Sequence, residues 1–391
     1  MFITRNKNLT LFASLLPFTI FTKELGMLSI GGIQFDFISY PFFIIVFLTY
    51  LLSNRITIRK TELLVFGYIL TIGIVNIILF NLQVKPFIKQ LFPILLIYFS
   101  IKTIFKYNNI IDIFKRYLEL TLIVAFIGIL QMALKLVGIN FLTPLGGFYL
   151  DSIALEPSHY VLIVLPAIIY YMEKKEYHWK FFIIFLTLLL TFKITALVSI
   201  VVYVLLRNIR KLKKQLFFGS LMLIIFYYII NQIPEFSDRF YSMLTFLDTN
   251  NISNIQNLTT FSFVSNAQIA FGNFIRTYGF GIGLGGHEEM YYRYMTKHIF
   301  SQTAYGINAP SAHCLTLRII SELGIMGILL YVILFYKVTK IKNLEYSAIA
   351  WGSLGHFIGK SFKLGSYFDY GSLFFLLMII TAIKLDKEEK S

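Results

Sequence analysis

Residues 61–81 read TELLVFGYILTIGIVNIILFN, a run in which Glu62 is the one charged side chain. The hydrocarbon core of a bilayer takes about 20 apolar residues of helix to cross, and this stretch supplies them. Further runs of the same kind lie on both sides of it, at 8–22, 36–54, 86–104, 117–138, 158–172, 180–192, 194–207, 216–233, 312–336, 346–362 and 368–385. The pattern predicts an all-α, polytopic membrane protein with about 12 transmembrane helices. The seventh and eighth runs form a tight pair around Lys193, and could equally be one interrupted segment. The basic segment at residues 1–10 leads into an apolar run with no small-residue cleavage site after it, so it reads as a first span and not as a removed signal peptide.

Composition agrees. Of 391 residues, 57% are hydrophobic and 14% charged, and the mean hydropathy is +0.72. Soluble domains run near a quarter charged, and a single soluble core could not hide this much apolar surface. The 41 Phe and 25 Tyr suit lipid contact and headgroup anchoring. The net charge of +15 would fit a nucleic-acid binder if it lay on one polar face. It lies instead between apolar runs, so no nucleic-acid partner is expected. One cysteine, Cys314, excludes an internal disulfide framework.

Charge sets the orientation. Arg5 and Lys7, the loops holding Arg55 to Lys60, Lys102 to Arg116, Lys174 to Lys180, Arg207 to Lys214 and Lys337 to Lys342, and the tail with Lys384, Lys387 and Lys390 carry roughly 23 of the 35 basic residues. That side is read as cytoplasmic, with both termini on it. The opposite loops are short except for two, at 139–157 and 234–311. The whole chain, 1–391, reads as one transmembrane domain, with the loop 234–311 covering the candidate site. Polar groups concentrate in those two loops, which places a candidate site outside the cytoplasm.

Four features there carry chemistry. Residues 146–159 run from a Gly pair to Glu156-Pro157-Ser158-His159; Pro157 suits the first turn of a helix, which sets Glu156 and His159 three apart at a membrane mouth. Glu156 could simply favour the helix N-terminus, but ionisable groups at such a depth are costly to keep without a role. Residues 279–289 contain Gly281, Gly283 and Gly286 in a formal GxGxxG, without the strand and helix context of a dinucleotide fold. A tight turn offering backbone N–H groups to an anion fits better. His287-Glu288 lacks a second histidine at zincin spacing, so no metal is expected. Outer arginines Arg239, Arg276, Arg293 and Arg318 run against the usual charge bias and suit phosphate recognition, or else pair with Asp238, Glu235 or Glu289. Finally, Arg318 and Glu322 stand four apart in a hydrophobic helix that His313 opens.

Glu156-Pro157-Ser158, the long outer loop, the Gly279–Gly285 run followed by Tyr291-Tyr292-Arg293-Tyr294, and His313 through Arg318, Glu322, Gly324 and Gly327 together resemble the O-antigen and capsular polysaccharide polymerase (Wzy) family, related to the O-antigen ligases. The resemblance covers the whole topology, though its motifs occupy only 146–159 and roughly 239–327. It implies a GT-C-type, metal-independent and cofactor-free inverting glycosyltransferase of the bacterial inner membrane. The substrates would be undecaprenyl-pyrophosphate-linked oligosaccharides, and the partners a flippase and a chain-length regulator besides the bilayer. It maps a catalytic base onto His313, with Glu156 as competitor or positioning group, and pyrophosphate contacts onto Arg239, Arg276 and Arg318, with Arg293 and His159 as further substrate contacts. Glu322, Gly281 and Gly283 would support the site. Where the family often places Ser or Thr before a basic residue, this chain reads Thr191-Phe192-Lys193-Ile194-Thr195, and no catalytic role follows for Lys193. An O-antigen ligase would share donor and fold. A lipid-linked glycan flippase or transporter should show internal repeats and charges near the membrane midplane, and neither is visible.

Overall fold

The structure, a computed structural model, describes residues 7–22, 29–30, 33–34, 39–52, 58–142, 148–208, 237–238, 241–245, 255, 257–295 and 304–390. Apart from a two-residue antiparallel pair, Ser29–Ile30 with Ile33–Gln34, the regular elements given for them are helical. The described helices are α1 (Lys7–Leu15), α2 (Thr19–Thr22), α3 (Ser39–Leu52), α4 (Lys60–Leu79), α5 (Val84–Tyr107), α6 (Ile110–Leu136), α7 (Pro157–Lys174), α8 (Trp179–Leu189), α9 (Ile194–Arg207), α10 (Leu258–Arg276), α11 (Gly286–Tyr294), α12 (Leu315–Glu322), α13 (Gly324–Val338), α14 (Leu344–Lys360) and α15 (Ser372–Glu388). The run at 216–233 lies outside the described residues, as do Arg239 and the Gly146-Gly147 pair.

Three helices, α4, α5 and α6, are long and apolar enough to cross a membrane. Helix α4 turns most of its side chains outward, with Leu64 at 72% and Ile78 at 73% exposure. A helix apolar on all sides needs an apolar surrounding. Helices α3, α8, α9 and α13 are apolar but shorter.

The centre of the bundle is α14 against α7. Gly352, Gly355 and Gly359 let the two backbones approach, since a Cβ at Gly352 would stand 2.7 Å from the Pro166 carbonyl oxygen. Pro166 has no N–H, which frees the Leu162 carbonyl inside α7. His356 Nδ1 meets that oxygen at 3.1 Å. Asparagine caps open three helices: Asn109 before α6, Asn257 before α10 and Asn343 before α14 each accept from backbone N–H groups of the first turn.

Ion pairs divide along the chain as the basic loops do. Glu62 with Lys102, Glu173 with Arg207 and Lys174 with Glu345 join segments of the strongly basic set. Glu156 with Lys363 and Asp151 with Lys135 join segments of the other.

Two expectations need correction. The run 312–336 is not one helix: it breaks between α12 and α13 at Gly324, whose φ is +59°. The segment 277–285 fills the break. Ile282 N donates to Ser321 O at 2.8 Å, Gly283 N to Glu322 O at 2.9 Å, and Ile325 N to Gly279 O at 2.8 Å. The carbonyls orphaned at the end of α12 are thus satisfied by another piece of backbone. The second concerns the loop 234–311, expected to fold partly as short helices over the site: besides the 9-residue α11 it contains a helix of 19 residues, α10. Helix α10 packs on α12 through buried Ser262, Ser265, Asn266 and Asn273.

Gly324→Ala puts a Cβ 2.0 Å from the Gly279 oxygen at a left-handed φ. Left-handed backbone alone costs roughly 1–2 kcal/mol for a residue with a side chain. The variant is expected to unfold at clearly lower temperature in detergent, by thermal-shift size exclusion, while Gly67→Ala, with nothing within 4 Å of its Cβ, stays at or above wild type. Equal midpoints would refute the tight approach at the break.

Candidate functional site

The Gly279–Gly285 run presents one backbone N–H, that of Gly285, to an anion, and that anion is internal; the amides of Ile282 and Gly283 go to backbone carbonyls. Glu322, 1% exposed, accepts Gly285 N at Oε1 (3.0 Å) and Arg318 Nε at Oε2 (3.1 Å). Gly281 and Gly283 have φ of +87° and +90°, and a Cβ on Gly281 would lie 2.6 Å from the Glu322 backbone oxygen. Gly281 thus packs against the broken helix, and Gly283 against α4, where a Cβ would lie 3.0 Å from the Gly73 Cα.

Arg318 is 2% exposed and lies over the Tyr367 ring at 4.6 Å. Its Nε goes to Glu322 and its Nη1 to the Gly365 carbonyl at 3.2 Å. Its Nη2 is buried without a hydrogen-bond partner, and Arg318 lines a cavity of about 350 Å³ with Gln83, Lys85, Lys89, Gln90 and Glu288 among its walls.

His313 sits just ahead of α12, 5% exposed, with a φ of +62° next to Ala312 at +51°. Two successive left-handed residues with side chains are strained, and such strain concentrates at functional sites. The conformation is held by His313 N to Asn308 O (3.2 Å) and Leu364 N to His313 O (2.9 Å). Nδ1 stands 2.9 Å from Ser262 Oγ, and Phe263 packs edge-on against the ring. Ser262 accepts from Asn308 Nδ2 at 2.9 Å and can donate to Ile307 O at 3.4 Å. That arrangement accommodates an Nδ1–H.

Glu156 is the N-cap residue of α7, yet its side chain makes no capping bond. It accepts from Ser158 Oγ (3.1 Å) and faces Lys363 Nζ (3.7 Å) and His159 Nε2 (3.9 Å). Burial opposes its ionisation, but Lys363, His159, Ser158 and Lys193 outweigh that and hold its pKa below the ordinary carboxylate value. The side chain is 42% exposed.

These groups meet on one short segment. Lys363 faces Glu156, Leu364 N holds His313, and Gly365 O holds Arg318. Gly365 permits this, because a Cβ there would lie 1.9 Å from the Ser311 carbonyl oxygen. Segment 363–365 therefore joins two motifs that lie more than 150 residues apart.

The other expected residues are placed differently. Arg276, at the end of α10, stacks on the Tyr294 ring at 3.7 Å and reaches Asn273 Oδ1 at 3.5 Å. Arg293 pairs with Glu289 and donates to the carbonyls of Phe80 and Asn81, so it closes the end of α4. Neither is among the residues lining the cavity beside Arg318. Arg239 lies outside the described residues. Sequence reasoning passed over Lys85, Lys89 and Lys363. The same signal that singled out the arginines, basic residues in the sparsely charged loop set, would have found them.

His287 is a scaffold residue. Asn266 Nδ2 is committed to the carbonyls of Ser262 (2.7 Å) and Ile307 (3.1 Å), so its Oδ1 accepts His287 Nε2–H at 3.1 Å. Ser321 Oγ accepts from Asn273 Nδ2 (2.9 Å) and donates to His287 Nδ1 (2.8 Å). The ring is neutral, with its pKa pushed down to about 3 by burial and by the nearby Arg318 charge. An unfolded histidine takes a proton near 6.5; the folded one refuses it. Its contribution is therefore intact above pH 6.5 and lost as the pH falls from there toward 3, by about 1.4 kcal/mol per pH unit. His287→Gln should flatten the loss of thermal stability between pH 6.5 and 5. An unchanged slope would contradict the neutral assignment. No protein-family model matches the chain, and no curated protein matches it.

Proposed function

We propose that the chain is a multi-pass protein of the bacterial cytoplasmic membrane, with about twelve GT-C-like spans and both termini in the cytoplasm, that joins undecaprenyl-pyrophosphate-linked oligosaccharide repeat units into a polysaccharide at the outer face. The observation that carries this reading is the meeting of Glu156, His313 and Arg318 on segment 363–365. A carboxylate, an imidazole and a buried guanidinium can supply charge stabilisation, a base and a leaving-group contact for glycosyl transfer from a lipid diphosphate. Their position at the helix mouths suits a substrate whose tail stays in lipid while its sugars reach water.

In this reading an acceptor hydroxyl oxygen attacks the anomeric carbon of the donor chain. The bond from that carbon to the diphosphate oxygen breaks, and undecaprenyl pyrophosphate leaves with the electron pair. Arg318 stabilises the charge that develops on the leaving oxygen. His313 takes the hydroxyl proton as general base. Glu156, held ionised by Lys363 and its neighbours, is a weaker base and serves to stabilise positive charge developing at the anomeric carbon. Lys363 positions Glu156. A flippase supplying the repeat units and a chain-length regulator are the partners this role calls for.

Deleting the gene and resolving surface and lipid-linked glycans on gels tests the reading. Single repeat units without the long-chain ladder are expected. Complete long chains left on the lipid carrier would make the protein a ligase, and unchanged glycans would overturn the assignment. Among variants, His313→Ala should stop chain growth while the protein remains folded. Arg318→Ala is a poor probe, because breaking a buried pair costs about 3–5 kcal/mol of stability. Arg318→Lys keeps the charge and should cut chain growth at least tenfold.

A further inference from the structure

Apart from Arg318 itself, the cavity beside it is lined by residues that the reading above does not use. Its walls come from the start of α5 (Gln83, Lys85, Lys89, Gln90), from α11 and the residue before it (Gly285, Glu288, Glu289, Tyr292), and from Pro310. Its volume, about 350 Å³, is in the range of small-molecule sites.

Two buried side-chain atoms at this cavity have no hydrogen-bond partner: Arg318 Nη2, a donor, and Gln90 Oε1, an acceptor. Buried polar groups are otherwise nearly always paired. Arg318 itself is 2% exposed, so a partner must reach it through the cavity. Lys85 and Lys89 are four apart, on one face of α5. They stand in its first two turns, which hold no acidic residue. Cations at a helix N-terminus oppose the helix dipole. Dipole and lysines therefore add up to a positive field that favours an anion. Of the two acids present, Glu289 is committed to Arg293 and to Gln83 N. Glu288 is left as a hydrogen-bond acceptor.

We propose that this cavity binds the phosphate–sugar junction of a phosphorylated glycan, with Lys85, Lys89 and Arg318 Nη2 on the phosphate oxygens and Gln90 Oε1 accepting from a sugar hydroxyl. A phosphate alone would fill the donors and leave Gln90 unsatisfied. A neutral sugar would leave the lysines unanswered. A sugar phosphate meets both needs. The proposal rests on the function given above only for the identity of the molecule that carries this junction.

The test is calorimetric titration of the full chain in lipid nanodiscs with three probes: inorganic pyrophosphate, glucose 1-phosphate and glucose on farnesyl diphosphate. Lys85→Ala/Lys89→Ala should weaken all three at least tenfold without moving the thermal midpoint, because both lysines are exposed. Gln90→Leu should weaken the two sugar-bearing probes and spare pyrophosphate. Tighter binding of the farnesyl-linked probe assigns the cavity to a membrane-borne substrate, and equal binding of both sugar probes to a soluble sugar phosphate. Wild-type affinity for pyrophosphate in the double variant overturns the site. Glycan gels of the deletion strain read the polymerase function separately: unchanged glycans with lysine-dependent pyrophosphate binding would sink that function and leave the anion site standing.

Discussion

The buried pair of Arg318 and Glu322 holds the end of the molecule around the break between α12 and α13 together. Each partner spends only part of its bonding capacity on the other. Glu322 also takes the Gly285 amide, and its backbone oxygen takes Gly283. Arg318 also takes the Gly365 carbonyl and covers Tyr367. One pair thus ties three stretches of chain, 279–285, 315–322 and 363–367, into a single knot. Burying two charges is expensive, and an apolar substitute of similar volume often does as well for stability alone. What an apolar pair could not supply is position: a guanidinium edge facing a cavity and a carbonyl held in place.

The break between α12 and α13 follows from the same knot. A continuous helix from 312 to 336 would satisfy the carbonyls of Ser321 and Glu322 internally and leave the glycine run with nothing to bind. Ending α12 at Glu322 turns those carbonyls outward, and the amides of Ile282 and Gly283 meet them. Tyr68 reaches in from α4 and donates to both Phe280 O and Leu323 O. Irregular backbone of this kind is tolerated at depth in a membrane where it is buried in protein.

Much of the site was legible in the sequence, for a physical reason. Charged residues inside apolar runs are rare and costly, so Arg318 and Glu322 stood out by type alone, and Glu156 by its place at a membrane mouth. The helical character was legible in the same way, through runs such as 61–81. Hydropathy, however, reports only what is apolar and not where backbone bonds go. The break at Gly324 was therefore read as continuous helix. The glycines of 279–285 were read as offering amides to an anion, when the Glu322 carboxylate takes the Gly285 amide and carbonyls and the Thr277 hydroxyl take those of Gly279, Gly281 and Gly283. Arg293 was read as a substrate contact because nothing in sequence spacing reveals that the end of α4, at Phe80 and Asn81, needs donors. Lys363 belongs with Glu156 only through tertiary structure, since more than 200 residues separate them.

The central claim is that segment 363–365 and the groups on it lie at the outer face of a membrane, opposite the strongly basic loops. Cysteine accessibility tests it most directly. Lys363→Cys and Lys342→Cys, each in a Cys314→Ser background, would be treated with a membrane-impermeant maleimide in right-side-out membrane vesicles. The account predicts labelling at position 363 in sealed vesicles and at 342 only after they are opened. Labelling of both positions from the same side would contradict it.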